Sequence, residues 1–146
     1  MTELVEWIKK EVARELLVTL SGLKNLSREM EEGKAPIFYV GDGIEFDVML
    51  KNRNPFPLRA LDVSIHQVEA VEFDDSSIVE RINNLAGGAE LKVATVSGVV
   101  RENPDDAKSS WRFLDYVCRV TIKGEVDLPP IEFYDEEFEV AHIEDA

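Results

Sequence analysis

From Ile44 to Leu50 the chain keeps strict alternation: Ile44, Phe46, Val48 and Leu50 are apolar, with Glu45, Asp47 and Met49 between them and Lys51 after. A period of two puts the two sets on opposite faces of a pleated strand, so this segment predicts a strand with one buried face. Leu114, Tyr116, Cys118, Val120 and Ile122 repeat the pattern opposite Asp115, Arg119, Thr121 and Lys123. This is the longest apolar alternation in the chain, and it predicts a central strand.

The segments between these two anchors are short and punctuated. Gly41-Asp42-Gly43 reads as the turn before the first anchor, and Asn52-Arg53-Asn54-Pro55-Phe56-Pro57 forces the chain out of the ladder after it, because two prolines remove two donors. Leu61, Val63 and Ile65 resume alternation, and the same phase reaches Val71 and Phe73, so a long or bent strand is expected. Ser77-Ile78-Val79-Glu80 has the form of a capping box, and Ile82 and Leu85 carry it to Gly87-Gly88; this predicts a short helix near 77–86. Leu91, Val93 and Thr95 begin another strand, with Gly98 placed to bend it. Ile131 and Phe133 lie on one phase and Phe138 and Val140 on the other, so a bulge is expected at Asp135-Glu136.

The N-terminal segment differs in period. Val5, Ile8, Val12 and Leu16 recur at steps of three and four, separated by Glu6, Lys9, Lys10, Arg14 and Glu15, which is the pattern of an amphipathic helix. Thr2 is placed to cap it, with Glu3 and Glu6 near the positive end of its dipole. Residues 16–22 can be helix or strand, the β-branched Val18 and Thr19 favouring strand from about residue 16, and Gly22 is expected to end either element.

These elements predict a mainly β chain. We expect one domain over 1–146: an N-terminal helix (1–15), an antiparallel β-sandwich (16–141) and an acidic tail (142–146). At 146 residues the chain is of the usual size for one domain. No stretch is long and apolar enough for a membrane helix, and the N-terminus has neither the apolar run nor the cleavage site of a secretory signal, so a cytoplasmic protein is expected. Cys118 is the only cysteine, which excludes an intramolecular disulfide and a cysteine zinc cluster.

The net charge of −14 is uneven: residues 74–146 carry 17 acids against 7 bases, and nine acids follow Lys123 with no Lys or Arg. Such a surface repels phosphate, so neither nucleic acid nor an anionic membrane is expected as a partner.

Tyr116-Val117-Cys118 resembles the tyrosine corner of immunoglobulin-like domains, although the second cysteine of that family is missing. Val48 to Leu58, followed by Leu61-Asp62-Val63-Ser64-Ile65, resembles the strand, Asn-Pro turn and strand of water-stress (late-embryogenesis-abundant group 2) domains, and Val120 to Val126 is similar to their strand ending in glycine. Gly41 to Asn52 is also similar to bacterial and archaeal cell-adhesion-type modules. These resemblances imply an immunoglobulin- or fibronectin-like sandwich that binds or protects without catalysis.

The residues themselves offer little for chemistry. A nucleophilic site would need His66 or His142 as its base, yet no Gly-x-Ser-x-Gly elbow is present, and Cys118 alternates with core residues. Asp74-Asp75, Asp105-Asp106 with Asn103, and Asp135-Glu136-Glu137 could offer oxygens to calcium, but none has the spacing of a known loop. We therefore expect no catalytic residue, no metal ligand and no cofactor. The expected function is a non-enzymatic binding or assembly module for a protein partner. The helix stripe of Val5, Ile8, Val12 and Leu16 either packs within the monomer or joins two copies. A calcium-type module or enzyme working through the acidic turns, and a stress-protective solubilising domain, are the alternatives.

Overall fold

The computed structural model describes residues 2–29, 38–68, 71–75, 78–101, 110–111, 117–127 and 130–140, with backbone alone for residues 2, 5, 110–111, 126–127 and 130–140. One helix, α1 (Thr2–Arg14), precedes β1 (Leu16–Asn25), β2 (Phe38–Tyr39), β3 (Gly43–Asn52), β4 (Leu58–His66) and β5 (Val71–Phe73). Then come β6 (Ile78–Leu85), β7 (Glu90–Val100), β8 (Ser110–Trp111), β9 (Cys118–Asp127) and β10 (Pro130–Val140). They form two four-stranded antiparallel sheets, ordered β1-β3-β7-β5 and β10-β9-β4-β6, and a two-stranded piece, β2-β8. The chain is mainly β and sandwich-like, with inward residues of both sheets in one core: Ile44, Phe46, Val48, Leu50 and Val96 from the first, Leu58, Leu61, Val63, Ile65, Val120 and Ile122 from the second.

The two anchors lie where alternation puts them. In β3 burial alternates along the whole strand, and β9 sits between β10 and β4 with Cys118, Val120 and Ile122 fully buried. Burial pushes the Cys118 thiol up to about 12, which leaves it a protonated core side chain. Residues 112–116, and with them the Tyr116 of the tyrosine-corner resemblance, lie outside the described residues.

Elsewhere bulges reset the alternation, and they explain where periodicity misleads. In β4, Ala60 and Leu61 together stand opposite Gly124 of β9, and Ala60 takes the left-handed backbone conformation with φ of 53°. The bulge turns Leu58 and Leu61, three residues apart, into the same core. Strand β6 follows it: Leu85 pairs with Leu58 and Ile82 with Leu61. The step of three between Ile82 and Leu85 therefore comes from a bulged ladder, and the helix expected near 77–86 is instead the strand β6.

Gly22, expected to end its element, lies inside β1. Its φ of 64° forms a bulge in which Gly22 and Leu23 face Phe46. In β7 the extra residue is Val93, not Gly98. Gly98 is needed for another reason, since a Cβ there would collide with the Glu72 carbonyl of β5. The long strand expected from Leu61 to Phe73 is broken, with β4 and β5 in different sheets. The bulge expected at Asp135-Glu136 is present as a register shift between Phe133 and Glu136.

The end of the helix is fixed by the Asn-Pro turn. Asn54 Nδ2 donates to the Val12 carbonyl (3.2 Å), and the Arg53 amide donates to the Glu15 carbonyl (2.8 Å), so the turn satisfies groups that a helix C-terminus leaves open. Asn52 is fully buried behind it. Its Nδ2 lies within reach of the carbonyls of Phe56 (2.9 Å), Leu85 (3.0 Å) and Ala86 (3.3 Å), and its Oδ1 accepts from the backbone and side-chain nitrogens of Asn54 (both 3.0 Å). One amide thus ties the β3–β4 corner, the β6–β7 turn and, through Asn54, the helix.

Candidate interaction surface

Of the four residues on the helix stripe, Val12 and Leu16 belong to the core and Ile8 packs against it, while the side chain of Val5 lies outside the described residues. Leu16 is not in the helix; it opens β1 after a turn at Glu15. Helix α1 lies against the outer strands β1 and β10. The structure brings Val12 and Leu16 together inside the monomer. Among the described residues of α1, the exposed large apolar side chains are Leu4 and Trp7.

A densely hydrogen-bonded corner lies at the opposite end of β3, around Gly41-Asp42-Gly43. The Asp42 amide donates to the Tyr39 carbonyl (3.0 Å), closing a turn in which Gly41 adopts φ of 90°. The turn then pairs with β7: Gly41 N–H donates to the Val100 carbonyl and Val100 N–H to the Asp42 carbonyl, both at 2.9 Å. This geometry carries the Asp42 side chain inward, where only 3% of the residue is exposed.

The Asp42 carboxylate is met on several sides. Asn25 Nδ2 donates to Oδ2 (3.0 Å), Arg28 Nε donates to Oδ1 and Oδ2 (3.1 and 2.9 Å), and the Tyr39 amide donates to Oδ2 (2.9 Å). Burial alone would raise the Asp42 pKa, but the Tyr39 amide, Arg28 and Asn25 together outweigh it and hold the carboxyl below its usual range. The chain leading in is fixed too: Asn25 Oδ1 accepts from the amides of Ser27 (2.8 Å) and Arg28 (3.1 Å), and Ser27 Oγ accepts from Gly43 N–H (2.8 Å).

What the carboxylate holds is an arginine stacked on a tyrosine. The Arg28 guanidinium carbon lies 4.5 Å from the centre of the Tyr39 ring, a cation–π contact open to solvent. Besides Tyr39 (45%), the adjoining segments expose Leu26 (53%), Val40 (41%) and Val99 (41%). Gly43 joins two of them, because Leu26 covers the place where its Cβ would point and Val99 is its partner across the ladder. Further along the outer face the sheet turns polar, with Lys24 paired to Glu45 (2.9 Å) and the Thr95 hydroxyl donating to Asp47 (2.6 Å).

This corner was hidden in the sequence. Asp42 looks like a solvated turn acid whose nearest acids, Glu45 and Asp47, are on a strand; the groups that meet it come from Asn25 and Arg28, in a segment with no periodic signal. Of the groups considered for chemistry, His66 is exposed with its Nε2 3.0 Å from Thr121 Oγ1, and His142 lies outside the described residues. Asp74 and Asp75 are exposed, residues 103–106 lie outside the described residues, and so do the side chains of 135–137. Among the described residues no three His, Cys, Asp or Glu side chains gather into a group that could hold a metal, and no helix is long and apolar enough to cross a membrane. No family model matches this chain, and no curated protein matches it either.

Proposed function

We propose that this chain is a non-enzymatic, immunoglobulin-like binding module that docks a protein partner through the Arg28–Tyr39 corner. The strand neighbours β1-β3-β7 and β10-β9-β4 run in the order that immunoglobulin-like sandwiches use for strands A-B-E and G-F-C, which supports the finer fold assignment. One observation carries the function: a buried carboxylate holds an exposed arginine against an exposed tyrosine, and Leu26, Val40 and Val99 on the adjoining segments are exposed as well. Tyrosine and arginine dominate the energetically important positions of protein interfaces. A side chain already held in place loses less entropy on docking.

A photo-crosslinking residue at Val40 tests this. In extract of the source cells it should give a discrete adduct, identified by mass, that a purified partner reproduces. The adduct should disappear when Arg28→Ala and Tyr39→Ala are added to a chain whose circular dichroism is unchanged. An adduct of twice the chain's mass would make the partner a second copy. The absence of any adduct, or one indifferent to Arg28 and Tyr39, would reject the corner as a docking surface.

A further inference from the structure

We propose a second docking element, independent of the corner: the free edge of β6, which takes up an extended lysine- or arginine-bearing segment of a partner protein as an added strand. Strand β6 is the last of the order β10-β9-β4-β6, and among the described residues nothing pairs with it on the side away from β4. The backbone N–H and C=O groups on such an edge are a template for another extended chain. The other edges differ. Helix α1 lies against both β1 and β10, and β5 spans only three residues. Strand β6 offers eight residues, and apart from β4 it meets β7, into which it turns.

The chemistry of the occupant follows from what lies beside that edge. A cleft of about 640 Å³ opens at the start of β6, between residues 64–67 at and just past the end of β4, residues 72–74, and Ile78 and Val79. The cations nearby are engaged: Arg81 is held by Asp62 (2.8 Å) and Arg101 by Glu72 (3.6 Å). The anions are not. Among the described residues the carboxylates of Asp74, Asp75 and Glu80 have no ion-pair partner, and Val79 beside them is 62% exposed. An incoming strand that alternates cationic and apolar side chains would meet carboxylates and Val79. A second copy of this chain is the poorer occupant, because each copy brings a net charge of −14 to the junction.

The test uses the full chain and a labelled octapeptide of alternating lysine and valine. Fluorescence polarisation at low salt should show saturable binding, and the amide resonances of residues 78–85 should shift while those of β1 do not. The same peptide N-methylated along its centre keeps its charge but loses its backbone donors, and it should bind at least tenfold more weakly. Glu80→Lys, a surface change, should weaken the unmethylated peptide several-fold, whereas Arg28→Ala should leave it unaffected. Equal binding of the methylated peptide would show charge attraction without strand addition and overturn the proposal. So would an absence of binding, or amide shifts that fall outside β6.

Discussion

Each end of the sandwich is closed by a buried polar side chain, Asn52 at one and Asp42 at the other, and the two do different things. Asn52 is neutral and surrounded by backbone, its amide spent on the carbonyls of Phe56, Leu85 and Ala86. Asp42 is charged, and one of its partners, Arg28, reaches into solvent with its side chain 54% exposed. The neutral amide is used up on backbone groups and joins segments of the chain to one another. A buried carboxylate can hold a cation at the surface, and so it can shape a surface that another molecule meets.

The sharpest way to break this contrast is Asn52→Leu. It removes the side-chain donor to the Phe56 and Leu85 carbonyls and the acceptor of the Asn54 backbone N–H, and unsatisfied groups cost about 1–3 kcal/mol each. We expect a loss of about 3 kcal/mol or more, seen as a lower urea midpoint with an unchanged slope. A loss under about 1 kcal/mol would show that the amide is not the tie described above.

Asp42→Asn should cost less, about 1–2 kcal/mol at neutral pH, because the Arg28 hydrogen bonds lose their charge while the side-chain shape is kept. The folded-state pKa of Asp42 is lowered, so its contribution is complete above the ordinary value of 3.8 and is lost as pH falls through the still lower folded-state value. The stability gap between the wild type and Asp42→Asn should therefore hold between about pH 7 and pH 5 and close in stronger acid, by the same linkage. The deficit of Asn52→Leu should not follow that curve. Urea titrations of both variants at several pH values would separate the two ends.

The smallest effect belongs to Tyr39→Leu. An exposed cation–π contact is worth about 0.5–1 kcal/mol, and leucine keeps much of the apolar contact. If thermal unfolding showed a loss above about 2 kcal/mol, the stack would be a structural support, and the docking reading would lose the observation that carries it.

Much of the β core was legible because alternation is a local property: residues 44–50 and 118–122 declare their buried face without knowledge of their neighbours. Bulges were legible only where the phase visibly changed, as between Phe133 and Phe138. The bulge in β4 was not, because Ala60 is neither glycine nor proline and its consequence appears in another strand, at Ile82 and Leu85. There the helical spacing and the capping pattern agreed with each other, and the pairing of β6 with β4 overrode both. The corner was the least legible part. Asn25, Arg28 and Asp42 converge only when β1 and β3 pair, and nothing in their sequence spacing announces it.

The asparagine tie also makes the helix depend on distant parts of the chain. Asn54 reaches back 42 residues to hold the last turn of α1, and Asn52 in turn binds carbonyls 33 and 34 residues ahead. A single 13-residue helix is marginal in water by itself. The helix is thus secured by residues far along the chain from it, and its last turn depends on the β3–β4 corner and, through Asn52, on the turn after β6.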